Sequence, residues 1–243
     1  MFGDADALAR AAAADMAAAL GAAIDARGSA NAMFASGNSQ LRFLHALAQV
    51  EGVDWSRVVG LHMDEYVGIG SDVAASFHRY MQEQVARPLH MGDFHYVDGT
   101  AEPVGEAARY ASLLREFPID VCCLGIGENG HLAFNDPPVA EFDDPLDVKV
   151  VTLDDACRRQ QVGEGHFATV DDVPARAITV TIPALLRADR VLAIVPEARK
   201  REPVRRALTE PISPACPASI LRRAPQATLY LDRESSSLLD MHE

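Results

Sequence analysis

Positive charge is scarce in this 243-residue chain: 22 Lys and Arg stand against 35 Asp and Glu, a formal net charge of −13. A nucleic-acid backbone demands clustered cations, so nucleic acid is not an expected partner. A small anionic ligand stays open, because it answers to a local field and not to the net charge. Cysteine is sparse as well. Cys122, Cys123, Cys157 and Cys216 contain no C-x-x-C pair of the zinc or redox kind. The adjacent pair lies in an apolar run, so at least one of the two reads as a small hydrophobe, a usage that suits a reducing compartment. No membrane-length apolar stretch is expected. The acidic, helical N-terminus MFGDADALARAAAADMAAAL is unlike a signal peptide. The expectation is a cytoplasmic protein with no membrane partner. Linker composition and internal repeats are missing too, so a single domain over 1–243 is expected.

What is present is an alternation of apolar strands and helices. Asp4 to Arg27 reads as an Ala-rich helix with an acidic start. NAMFAS is a buried strand, and Gln40–Val50 has helical periodicity. Strands follow at Arg57–Met63, Ile119–Gly125, Ala177–Ile182, Arg190–Val195 and Ala227–Leu231, and helices at Phe77–Val85 and Val104–Phe117. Nearly all-apolar strands between helices indicate an α/β fold, three-layer, with a mostly parallel, doubly wound sheet. The segment from Val139 to Asp172 has weak periodicity and many charges. It reads as a loop-rich excursion of the length typical of active-site lids.

Ligands of such sheets bind beyond the carboxyl ends of the strands. Four segments lie there. Ser36-Gly37-Asn38-Ser39 joins a strand to a helix and offers an anion site of backbone N–H groups and hydroxyls; Ser39 as a simple helix cap is the plainer alternative. His62-Met63-Asp64-Glu65-Tyr66 places two carboxylates after the second strand, where alternation lets one act as a base and the other orient the loop. Gly125-Ile126-Gly127-Glu128-Asn129-Gly130-His131 has the glycine spacing of a dinucleotide fingerprint, but Pro137-Pro138 stops the helix that fingerprint requires. It reads better as a glycine-supported loop presenting His131, with Asn135 and Asp136 close by to fix the imidazole. Finally, Arg199, Lys200, Arg201, Arg205 and Arg206 gather after strand VLAIV, which suggests an anionic partner.

Taken together, the four resemble the glucosamine-6-phosphate deaminase family, related to 6-phosphogluconolactonases and to the ribose-5-phosphate isomerase-like fold. ASGNSQ resembles the family's P-[ST]-G-x-[ST]-P loop, HMDEYVG with SFHRYM its M-D-E-Y-x-G…S-Y-H-x-F-M signature, and GIGENGHLAFNDP its G-x-G-x-[DN]-G-H-[IL]-[AG]-F-N-E-P. The resemblance implies a metal- and cofactor-free reaction of a hexosamine 6-phosphate: glucosamine 6-phosphate plus water gives fructose 6-phosphate and ammonia. It implies that Asp64 abstracts the C2 proton and that His131, with Asn129 and Asp136, assists ring opening. Ser36, Gly37, Asn38 and Ser39 would hold the phosphate with Lys200. A homo-oligomer is compatible with the resemblance. The short C-terminal portion argues against the allosteric regulation of the hexameric members.

The chain departs from the pattern in places. Gln40 stands where proline is usual, Asn129 where many members have aspartate, and Asp136 for a glutamate one methylene longer. The family's phosphate-binding arginine, expected shortly before VDDVP, has no match, and Arg158 or Arg159 in ACRRQQ is the candidate substitute. These changes bear on which hexosamine is taken. A 6-phosphogluconolactonase is the nearest rival, but D-E-R and G-H-T-A-S-L-F-P are typical there, whereas Tyr66 follows Asp-Glu here and FNDP follows the histidine loop. A non-catalytic sugar-phosphate sensor would need the cradle but not the base. A nicotinamide oxidoreductase would rest on the glycines alone.

Overall fold

The short apolar runs do become strands, and their order fixes where a ligand can sit. The computed structural model describes residues 1–239. Nine strands run β1 Ala30–Phe34, β2 Val58–His62, β3 Asp64–Tyr66, β4 Asp93–His95, β5 Val121–Leu124, β6 Val148–Thr152, β7 Arg176–Val180, β8 Arg190–Val195 and β9 Ala227–Leu231. Six form the main sheet in the order β4-β2-β1-β5-β8-β9, with every pairing parallel. The chain works outward from β1 through β2 to β4, returns, and works outward from β5 through β8 to β9. The order therefore reverses between β1 and β5, and the crevice at their carboxyl ends is the expected ligand position.

Helices cover both faces, completing three layers. On one side lie α1 (Ala5–Arg27), α2 (Leu41–Leu47) and the buried end of α3 (Phe77–Met81); on the other lie α4 (Pro103–Glu116), α6 (Ile182–Leu185) and α7 (Arg201–Thr209). α1 shows how the sequence achieves this. Asp4 caps it, its Oδ1 accepting from Ala7 N at 2.7 Å, and Gly28 ends it at φ 84° in the left-handed region that glycine enters without penalty. Leu8, Ala12, Met16 and Leu20 recur at helical spacing and are buried against the sheet. Each large apolar side chain buried there contributes about 1.5–3 kcal/mol. Here the sequence expectation needs correction: by length and composition Ala5–Arg27 is long and apolar enough to cross a membrane. Its apolar stripe is instead spent on the core.

A second sheet, β3-β7-β6, is antiparallel. This corrects the assignment of Ala177–Ile182 to a parallel sheet. As the middle strand of three, β7 is buried on both faces, and a run apolar on both faces looks the same in either kind of sheet. The excursion is also more ordered than its composition suggested. It contains β6 and a helix, α5 (Asp155–Gly163), capped by Asp154, whose Oδ1 accepts from Cys157 N at 2.6 Å. Beneath α5 lies a separate core of Tyr66, Phe77, Phe134, Val151, Leu153 and Cys157.

Candidate active site

The carboxyl ends of β1, β2 and β5 open into one cleft, the position expected for a ligand of such a sheet. Ser36, Gly37, Ser39, Asp64, Gly127, His131 and Lys200 line it. The structure thus brings three distant sequence segments and the lysine turn to the rim where β1 and β5 diverge.

Asp64 opens β3, immediately beyond β2, and its backbone is held by the ladder to β7 opposite Thr179. The side chain is buried, and Oδ1 has no hydrogen-bond partner. Burial, then the like charges of Glu65 and Asp136, hold the carboxyl well above the usual carboxylate range. Its neighbour on the strand points the other way. Glu65 accepts from Tyr66 N, Ser76 Oγ, Phe77 N and His78 N at 2.8 to 3.1 Å, so it fixes the start of α3. One carboxylate is saturated with partners and the other is left free. Free oxygen, raised pKa and a cleft are the attributes of a proton acceptor.

His131 is set by the loop after β5. Its ring lies flat on Gly127: a Cβ there would stand 2.2 Å from Nε2, so only glycine fits. Its backbone N–H donates to Asn129 Oδ1 at 2.9 Å. Nδ1 lies 2.8 Å from Asp136 Oδ1, which also accepts from Asn129 Nδ2 at 2.9 Å. The shorter Asp136 therefore reaches the ring. Burial alone would raise the Asp136 pKa, but the hydrogen bond and charge of His131 and the amide of Asn129 bring it below the ordinary value. An ionised Asp136 this close to the ring favours the tautomer with its proton on Nδ1, which leaves Nε2 for the cleft. Asn129 and Asp136 do not themselves line the cleft; both contact His131. No helix opens in this glycine loop, so the geometry of a dinucleotide site is not formed.

At the other end Gly37, at φ 107°, turns the chain away from β1, and its carbonyl accepts from Tyr80 Oη at 3.0 Å. Gln40, in the unusual position, is buried and ties the turn to β8 through Nε2 to Ile194 O at 3.1 Å. Lys200 is buried beneath the cleft after a turn in which Glu197 takes a strained φ of 81°. Burial pulls its ammonium below the ordinary lysine range, opposed by the charge of Glu164.

Two expected contacts are corrected. Asn38 is not among the residues lining the cleft: its Nδ2 donates to the backbone carbonyl of Glu164 at 3.1 Å. Arg158 is not there either, because its Nη2 is taken by Val170 O and Val173 O, at 2.6 and 3.1 Å. Of the basic cluster, only Lys200 lines the cleft; Arg205 and Arg206 pair with Glu202 and Glu210. Sequence reasoning missed Gln160, Gln161, Glu164 and His166, which wall the cleft from α5 and the turn after it. Tyr66 Oη donates to Gln161 Oε1 at 2.7 Å, and Gln160 Oε1 accepts from Glu128 N at 2.9 Å, so α5 is fastened on two sides. The doublet Asp154-Asp155 before CRRQQ was the available signal for this helix.

Comparison with known proteins agrees with this architecture. Residues 3–230 match the family described as glucosamine-6-phosphate isomerases/6-phosphogluconolactonase. The chain is 36% identical over 190 residues to a glucosamine-6-phosphate deaminase of Exiguobacterium sibiricum, covering 77% of this chain and 73% of that relative. It is also 36% identical over 205 residues to one of Bacillus cereus, covering 84% and 76%. A solved monomeric glucosamine-6-phosphate deaminase superposes with TM-score 0.87 at 29% identity, covering 97% of each chain. A 6-phosphogluconolactonase of Shewanella baltica superposes at 0.76 with 22% identity, covering 95% of each, a likeness of fold.

Proposed function

The chain belongs to the glucosamine-6-phosphate isomerase/6-phosphogluconolactonase family, and from that premise we propose that it is an amino-sugar-6-phosphate deaminase. The observation that carries the reading is the pairing, on one cleft, of a buried carboxylate with a free oxygen and an imidazole held by a second carboxylate. His131 Nε2 relays the proton that opens the pyranose ring. Asp64 takes the C2 proton of the open-chain aldose, giving an enolamine, and the proton is returned at C1. Water then adds to the C2 imine and ammonia leaves, so that atoms balance to a ketose 6-phosphate. Ser36, Gly37, Ser39 and Lys200 grip the phosphate far from the reacting carbons and supply positioning. We further take the chain as a single domain in the cytoplasm, consistent with four free buried cysteines.

The deciding experiment is ammonia release from a panel of glucosamine, galactosamine and mannosamine 6-phosphates. Release from one or more is expected. No ammonia from any, with hydrolysis of 6-phosphogluconolactone, would move the chain to the lactonase branch. Neither activity, with phosphate-sugar binding intact, would make it a sensor.

A further inference from the structure

An anion already sits at the phosphate end of the cleft. Glu164, in the turn that ends α5, has a buried side chain set between a guanidinium and an imidazole: Oε1 is 3.2 Å from Arg199 Nη1, and Oε2 is 3.5 Å from His166 Nε2. A Cβ on Gly37 would lie only 3.9 Å from Oε2, so the carboxylate hangs directly over the Ser36–Ser39 turn. Lys200 and Glu164 wall the same cleft. Burial would raise the Glu164 pKa, yet His166, Lys200 and Arg199 bring it down to about 2. The carboxylate is therefore charged across the working range, and its partners are those a phosphate would want.

We propose that Glu164 sets the selectivity of this end by standing in the end-group position itself, so that only a group able to outcompete it for Lys200 enters. This rests on the phosphate-ester reading of the cleft. A phosphate monoester carries about −1.5 to −2 charges at neutral pH and three acceptor oxygens, against one charge and two oxygens on the carboxylate. The neutral hydroxymethyl of an unphosphorylated hexosamine has neither and leaves Glu164 in place. Displacement also reaches the lid. Asn38 Nδ2 binds the Glu164 carbonyl and Gln160 Nε2 binds Oε1 at 3.0 Å, so expelling the carboxylate loosens the end of α5.

Inorganic phosphate tests this without turnover. Titrated calorimetrically into the full chain, it is expected to bind Glu164→Gln at least tenfold more tightly than the unmodified protein, and Glu164→Ala likewise. Unchanged or weaker binding overturns the proposal, since it makes Glu164 a mere holder of the cations. In the unmodified protein, saturating phosphate should speed hydrogen exchange of amides 155–163; unchanged or slower exchange also overturns it. The two readings separate cleanly. Tighter phosphate binding by Glu164→Gln without ammonia release would remove the deaminase and keep this inference, while ammonia release with unaltered phosphate affinity would do the reverse.

Discussion

At one end of the cleft, Asp64 keeps a buried oxygen without a partner, with Asp136 and Glu65 of the same sign nearby. At the other, the Glu164 carboxylate is met by Arg199 at 3.2 Å and feels the charge of Lys200. The first end is held by backbone ladders, the second by side chains on a turn and a helix end. Unbalanced charge on a rigid frame suits proton transfer, where the group must change state without moving. Balanced charge on adjustable side chains suits exchange of one anion for another.

This contrast can be broken at either end. Asp64→Asn should do most, cutting turnover ~10³-fold or more while substrate binding is nearly retained. The same change should raise thermal stability, because it removes a buried charge beside two others; ~1 kcal/mol, or roughly 2–4 °C, is the expected size in a melt. An active variant would remove Asp64 as the base, and a destabilised one would show that the free carboxylate is not held at a cost. Asp136→Asn should lower kcat about 100-fold by releasing the imidazole tautomer. An unchanged kcat would detach that pair from the chemistry.

Lys200→Ala should act on the other end alone, raising KM about tenfold with kcat little changed, since a phosphate grip is shared by ground and transition states. A loss confined to kcat would place the lysine with the base. The smallest signal is in the pH profile. Asp64 must be ionised to accept a proton, and its pKa is raised, so kcat/KM should fall on acidification at a pH above the usual carboxylate value of about 3.9. Stability follows the opposite sense: the cost sets in as pH rises above the ordinary carboxylate value of about 3.9, where the unfolded chain ionises, and is complete once pH passes the raised pKa of the folded state. An acid limb at the ordinary carboxylate pH would contradict the buried, crowded setting.

Much of this was legible in the sequence because it rests on local patterns. β1, β2, β5, β8 and β9 are apolar runs between turn residues, and α1 carries its caps in Asp4 and Gly28. Asp64, His131, Ser36, Gly37, Ser39 and Lys200 stood directly after strands, and they share one cleft. What escaped depends on tertiary contact. β3 and β4 have three residues each, too few for any period. α5 is rich in charged and amide side chains, and only the burial of Cys157 and Gln161 commits it to a face. The expectation for Arg158 failed because positive charge in the right stretch of sequence says nothing of direction, and the carbonyls of Val170 and Val173 claim its guanidinium.

The placing of Asp64 on the first residue of β3 has one more consequence. Met63 O accepts from Val180 N at 2.8 Å just before it, so the residue is pinned where the two sheets meet. Its aim is inherited from the scaffold and does not depend on neighbours that a mutation could swap. Redesign for another sugar therefore has a natural division of labour: the wall that α5 presents to the cleft is the place to vary, whereas the 36–39 turn and the seam between the sheets must be left untouched.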